Sequence, residues 1–193
     1  LTQTTIALPA DLNGVTLGSV TSIAVSGDLM AVAVPADVKT DNGYVLFYNG
    51  LDSSAPAFLD SVEVGALPDM VTFTPDGGKV LVANEGEPSD DYTIDPEGSV
   101  TVINILASGE PEETGTTVGF TALNGTEADL MAQGMMFPNP AGRTINGTAI
   151  TSTVAKDLEP EYITATNDVA YVSLQENNGL AIIDLEELTV DVV

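Results

Sequence analysis

The sequence predicts an all-β fold, a β-propeller of about three four-stranded blades in an incomplete ring. Three observations carry that expectation. Short apolar, β-branched runs alternate with turn residues, one phrase of strand, tight turn, strand, loop, Gly, strand occurs three times, and no segment sustains a helical period. An antiparallel sandwich also yields short strands and turns, but unrelated sandwich strands would not share one phrase.

The first copy opens with Ser22-Ile23-Ala24-Val25, turns at Ser26-Gly27-Asp28 and returns through Leu29-Met30-Ala31-Val32-Ala33-Val34. Gly43-Tyr44-Val45-Leu46-Phe47-Tyr48 is its third strand. In the second copy Met70-Val71-Thr72-Phe73-Thr74, Pro75-Asp76-Gly77-Gly78 and Lys79-Val80-Leu81-Val82-Ala83 form the hairpin, and Gly98-Ser99-Val100-Thr101-Val102-Ile103-Asn104 follows an insertion. The third runs Tyr162-Ile163-Thr164-Ala165-Thr166, Asn167-Asp168, Ala170-Tyr171-Val172-Ser173-Leu174 and Gly179-Leu180-Ala181-Ile182-Ile183-Asp184. The expected blades are residues 20–62, 66–120 and 158–193, with an irregular insertion at 121–157.

Between strands, Ala107 to Thr117 reads as an exposed acidic connection and Pro138 to Thr153 as a polar, turn-rich stretch. Glu127 to Met136 has helical propensity that Gly134 interrupts, so it reads as a helical turn or loop. The triplets Asn124-Gly125-Thr126 and Asn146-Gly147-Thr148 match a glycosylation sequon and are read as turns. Three blades do not close a ring that typically needs about four to eight. The remaining blades are therefore expected from more of the same chain or from a partner chain, because open strand edges are avoided.

Composition excludes whole classes of chemistry. With no His and no Cys in 193 residues, these residues supply no disulfide, thiolate chemistry, Ser-His-Asp triad or His-ligated zinc. The 29 acidic residues against 4 basic ones give a net charge of -25, which repels nucleic acid and anionic membrane surfaces. A hydrophobic fraction of 44% and a mean hydropathy of +0.20 still provide for a core. No apolar run reaches the roughly 18 to 20 residues of a membrane span, and the residues from Leu1 onward do not open with a basic n-region followed by an apolar h-region. Few Lys and many Asp suit exposed, salty surroundings, so the expected location is outside the cytoplasm: extracellular, cell-surface or periplasmic.

Blade geometry sorts the acids. The first two strands of a blade are joined at one face, so the loop entering the first and the loop leaving the second share the other face. Entering loops carry Asp69 and Asp157, Glu159 and Glu161; leaving loops carry Glu85, Glu87, Asp90, Asp91, Asp95 and Glu97, and then Gln175 and Glu176. Pro68-Asp69 aligns with Pro160-Glu161, and Glu85 with Glu176. Against so many like charges stand only Lys39, Lys79, Arg143 and Lys156, and a hard cation is the natural remedy. Candidate metal ligands are Asp69, Glu85, Glu87, Asp91, Asp95, Glu159, Glu161 and Glu176. Ca2+ takes about six to eight oxygens in flexible geometry and is favoured; Mg2+ or another divalent cation, held to a stricter octahedron, comes second. The EF-hand spacing is absent, and the bland alternative is a solvated acidic loop.

These stretches also resemble a known family. Pro68 to Gly77, Val82 to Pro88, Asp95 to Val100, Asp157 to Ile163 and Leu174 to Asn178 are similar to the choice-of-anchor I family of bacterial secreted or surface propellers, over roughly Ser22 to Val193. The resemblance implies longer proteins, some with an alkaline-phosphatase-like reading. One departure stands out: the first copy ends its second strand in Val34-Pro35-Ala36, where the family tends to place a Glu, and Asp37 or Asp41 is the candidate substitute.

Two functions follow as expectations. One is a metal-dependent phosphoester hydrolase in which Glu85, Glu161 and Glu176 hold the cation, Asp91 or Asp95 acts as ligand or base and Lys156 steadies an oxyanion; no nucleophile stands out. The alternative is a non-catalytic, calcium-stabilised surface or matrix assembly module.

Overall fold

The computed structural model describes residues 5–51, 56–138 and 142–193. Its main body is three four-stranded antiparallel sheets in meander order. Blade A comprises β3 (Ser22–Ser26), β4 (Leu29–Val34), β5 (Asn42–Asn49) and β6 (Ala57–Ala66), preceded by the small hairpin β1 (Asp11–Leu12) and β2 (Val15–Thr16). Blade B comprises β7 (Pro68–Phe73), β8 (Lys79–Asn84), β9 (Ser99–Asn104) and β10 (Thr116–Gly119). Blade C comprises β13 (Pro160–Ala165), β14 (Val169–Leu174), β15 (Gly179–Asp184) and β16 (Thr189–Val192).

The all-β expectation and the four-stranded blades hold. Two boundaries move. Blade A extends to Ala66 instead of ending at 62, and the connection after Ala107 ends before Thr117, because Thr116–Gly119 pairs with Ser99–Val102 as the outer strand of blade B. The four-residue outer strand of blade B buries only Val118 and carries little hydrophobic pattern, which is why the sequence did not mark it.

The insertion contains α1 (Glu127–Ala132), α2 (Val154–Asp157) and a hairpin of β11 (Thr144–Ile145) and β12 (Thr148–Ala149). Helix α1 runs six residues and gives way at Gly134, whose φ of 109 leaves the right-handed region. The Asn146-Gly147 turn has positive φ at both residues (48 and 88), the conformation a two-residue hairpin favours. Residues 139–141 of the polar stretch lie outside the described residues.

Alternation within each strand builds two apolar layers between blades. Ala31, Ala33, Val45, Phe47, Val62 and Val64 of blade A meet Val71, Val80, Val82 and Ile103 of blade B. On the other side of blade B, Leu81, Ala83, Val100 and Val102 meet Ile163, Ala170, Val172, Leu174, Ala181 and Ile183 of blade C, with Leu130, Val154 and Leu158 of the insertion joining in. Burying each such side chain fully is worth about 1.5–3 kcal/mol relative to exposure. Among the described residues no helix is long and apolar enough to cross a membrane.

Candidate functional site

The inner strands of blades B and C both begin on a bulge. Register slips between Pro68 and Met70 in one and between Pro160 and Ile163 in the other, the positions that hold Asp69 and Glu161. A bulge leaves its extra residue out of the ladder and re-aims the side chain, so the sequence alignment of these two acids is also a structural one. The exit of β8 is stitched to the entrance of β7: the Glu85 and Gly86 N–H groups donate to the Leu67 and Ala66 carbonyls at 2.9 and 3.2 Å.

From there the acidic loop folds back on itself. Gly86 has φ 74, and a Cβ there would lie 2.8 Å from the Glu97 carbonyl carbon and the Gly98 nitrogen. Gly98 in turn donates its N–H to the Ala155 carbonyl at 3.0 Å. The first contact requires glycine, and together the two press the loop against the segment that leads into blade C.

Carboxyl groups therefore converge at one mouth. Burial pushes the Glu85 carboxyl up to about 8, assisted by the charges of Glu87, Asp69, Glu159 and Glu161. Glu159, only 8% exposed, is pushed to about 7 by burial and then by Glu176, Glu87, Asp157 and Asp95. Glu161, 9% exposed, reaches about 7 through burial, a hydrogen bond with Glu176 and the charges of Glu176 and Asp69. Glu85 and Glu176 thus lie on the same side of the molecule, linked through Glu161. Burial also raises Asp69, and it raises Asp95 against the opposing pull of Lys156, whose Nζ is 3.9 Å from Asp95 Oδ2.

Two sequence candidates have other duties. Asp91 is exposed, and its Oδ1 accepts from Ser89 Oγ (2.9 Å), Thr93 Oγ1 (2.7 Å) and the Thr93 N–H (3.1 Å), bonds that hold its carboxyl below the usual range and tie it to its own turn. Glu87 accepts from Lys39 Nζ at 2.8 Å. Lys39 comes from the loop after Val34-Pro35-Ala36, so blade A answers the mouth with a cation where a carboxylate was expected. Asp37 and Asp41 face Gly14, Val15 and Thr16 of the N-terminal hairpin across a cavity of about 270 Å³ instead. Among the described residues, no three acidic side chains close into a ready-made metal cage.

Asn177, fully buried, was not singled out from the sequence. Its Nδ2 donates to the carbonyls of Asp157 (2.8 Å) and Met136 (3.0 Å), and its Oδ1 accepts from the Glu159 N–H at 3.5 Å. One amide thus ties the loop leaving β14 to the loop entering β13. The signal available was a polar residue in a Gln-Glu-Asn-Asn-Gly turn, where any of four side chains qualifies. Asn177→Ala is expected to cost about 3 kcal/mol, since the buried Asp157 carbonyl and the partly buried Met136 carbonyl both lose their donor; chemical denaturation measures it, and a change below about 0.5 kcal/mol would remove Asn177 from this role.

Comparison with known proteins places the chain. A mesenchyme-specific cell surface glycoprotein of Strongylocentrotus purpuratus is 35% identical over 100 residues, covering 48% of this chain and 13% of that protein. The periplasmic gluconolactonase of Pseudomonas aeruginosa superimposes with a TM-score of 0.44 at 13% identity over 90% of this chain and 56% of the other. This chain therefore spans a small part of the first and little more than half of the second. The choice-of-anchor I domain family matches residues 2–193, and the chain belongs to that family.

Proposed function

We propose that this domain is a cation-loaded β-propeller module of the secreted or surface-exposed space, with Ca2+ the favoured ion and Mg2+ or another divalent cation second. One observation carries the reading: Asp69, Glu85, Glu159, Glu161 and Glu176, from four loops on two blades, meet at one mouth while Lys39 pairs with the flanking Glu87 and Asp90 and Lys156 with the flanking Asp95. Like charges held together cost free energy, and a hard divalent ion offsets that cost with oxygen ligands of the kind these loops offer. Exposed Glu176 and half-buried Glu85 are the groups with room to close on the ion. The surface location is supported by the family and by the name of the sea-urchin relative.

Titrating the metal-stripped chain with CaCl2 at pH 8 should release or absorb heat and raise the melting temperature. At 100 times Kd the gain is about 2.7 kcal/mol. The absence of both heat and a thermal shift would remove the proposal.

A second reading, phosphoester hydrolysis, is favoured by the acids gathering at the mouth and not around the rim. A bound cation reverses the local potential, so a phosphate can approach a chain of charge -25. Glu85, Glu161 and Glu176 would hold the ion, with Asp95 beside Lys156 as base or further ligand. Turnover of p-nitrophenyl phosphate that needs Ca2+ and is lost in Glu85→Gln and Glu176→Gln would support it; an inactive wild type across metals leaves the binding module.

A further inference from the structure

Six asparagines are followed directly by glycine: Asn13, Asn42, Asn49, Asn124, Asn146 and Asn178. Asparagine is thermolabile, and a glycine after it, lacking Cβ, leaves the next backbone nitrogen free to reach the side-chain amide. Folding treats the six differently. Asn42 lies in β5 with its Nδ2 donating to Glu63 Oε1 at 2.9 Å, and Gly43 sits against the Pro68 ring. After Asn49, the Gly50 N–H that would have to react donates to Asp28 Oδ2 at 3.0 Å. Asn124 Oδ1 accepts from the Ala155 N–H at 3.0 Å, and Asn178 Nδ2 donates to the Gly134 carbonyl at 3.1 Å.

Asn13 and Asn146 remain, each exposed and each opening a hairpin turn with positive φ. The turn at Asn13 is anchored: Leu12 and Val15 pack against an apolar cluster of blade A, and the Asp37 N–H donates to the Thr16 carbonyl at 2.9 Å. The turn at Asn146 is held more loosely. Strands β11 and β12 have two residues each, and Thr144, Gly147 and Ala149 are exposed. The bonds that close the hairpin, Gly142 N–H to the Ile150 carbonyl and Ile150 N–H to the Arg143 carbonyl, stay within this one stretch. A Cβ on Gly147 would meet nothing within 4 Å.

We propose that Asn146 is a site of spontaneous deamidation, converting to aspartate and isoaspartate through a cyclic imide. The Gly147 nitrogen attacks Asn146 Cγ and the Cγ–Nδ2 bond breaks; the Gly147 N–H proton ends on the departing nitrogen, which leaves as ammonia. Solvent water then opens the ring. Addition at Cγ restores the ordinary backbone as Asp, and addition at the backbone carbonyl carbon routes the chain through Cγ as isoaspartate. Ring closure requires the turn to open, so the rate follows the free energy of local opening, which is lowest where few bonds and little apolar burial hold the backbone. Either product adds a negative charge to a chain already at -25, and isoaspartate also lengthens the backbone between the paired residues Ile145 and Thr148. The proposal is independent of the cation and hydrolase readings.

The scarcity of basic residues makes the test direct. Trypsin, cutting after Lys39, Lys79, Arg143 and Lys156, releases Thr144 to Lys156 as a peptide whose only asparagine is Asn146. The other five fall in the remaining peptides, where fragmentation separates Asn42 from Asn49. The chain is aged at mildly alkaline pH, folded in buffer or unfolded in guanidinium chloride, then digested and analysed by mass spectrometry, with isoaspartate confirmed by enzymatic methylation. In the unfolded chain the six should convert at comparable rates, because glycine follows each. In the folded chain Asn146 should convert about tenfold faster or more than any of the other five, as a lower cost of opening requires. A folded Asn146 that converts no faster than Asn13 or another of the five would overturn the proposal, as would one still intact when the unfolded chain has converted.

Discussion

Gly98→Ala should be the most damaging single-atom change in this domain. A Cβ at Gly98 would lie 2.0 Å from the Leu158 carbonyl oxygen and 2.8 Å from Pro160 Cδ, and neither the backbone oxygen nor the proline ring is free to yield. Relief requires the acidic loop to lift off the 155–160 segment. That movement breaks the Gly98–Ala155 hydrogen bond and opens the layer in which Leu158 is buried. A loss of about 4 kcal/mol or more is expected, at the far end of single-substitution effects. Urea denaturation measures it, with Gly109→Ala as comparison: nothing lies within 4 Å of its added carbon, though its φ of 86 still costs some strain. Equal losses in the two variants would show that the seam around Gly98 is not tightly packed.

The second large effect is expected from Glu85→Gln, and its sign follows from proton binding. Glu85 holds its proton more tightly in the folded state, at about 8, than near the ordinary value of 4.5 that applies when unfolded. Its protonated form therefore contributes stability in full below pH 4.5, and that contribution is lost as pH rises to about 8. Glu159 and Glu161, both near 7, add to the same decline. The metal-free wild type should lose melting temperature between pH 5 and 8, and Glu85→Gln should flatten the slope and melt higher at pH 8. Calcium must displace these protons, so its stabilising effect should be small at pH 5 and large at pH 8, and the variant should bind it about tenfold more weakly or worse. Melting curves with and without Ca2+ at the two pH values test this. A wild type whose melting temperature rises toward pH 8 without metal would contradict the assignment of Glu85, Glu159 and Glu161 to one crowded mouth.

Much of the fold was legible because strand and turn signals are local. Ser26-Gly27-Asp28 and Pro75-Asp76-Gly77-Gly78 announce their hairpins through residues suited to tight turns, and the flanking Val and Ile runs need no distant information. The outer strands Ala57–Ala66 and Thr116–Gly119 were not marked, since they owe their conformation to the neighbours they pair with. The mouth was legible in part. Pro68-Asp69 and Pro160-Glu161 could be aligned by eye, whereas the Lys39–Glu87 ion pair spans 48 residues and two blades, and the diversion of Asp91 into its own turn depends on how residues 89–93 close.

The amino-acid order alone settles which residues form the first three strands of each blade, how often the unit repeats and that these residues bring no histidine or thiol chemistry, because each of these depends on neighbours in sequence or on a simple inventory. Three-dimensional packing decides which carboxyl groups share a mouth, which lysine answers them and why Gly98 must lack a side chain. Those outcomes depend on approaches of a few ångströms between segments far apart in the chain, and no local pattern encodes a distance.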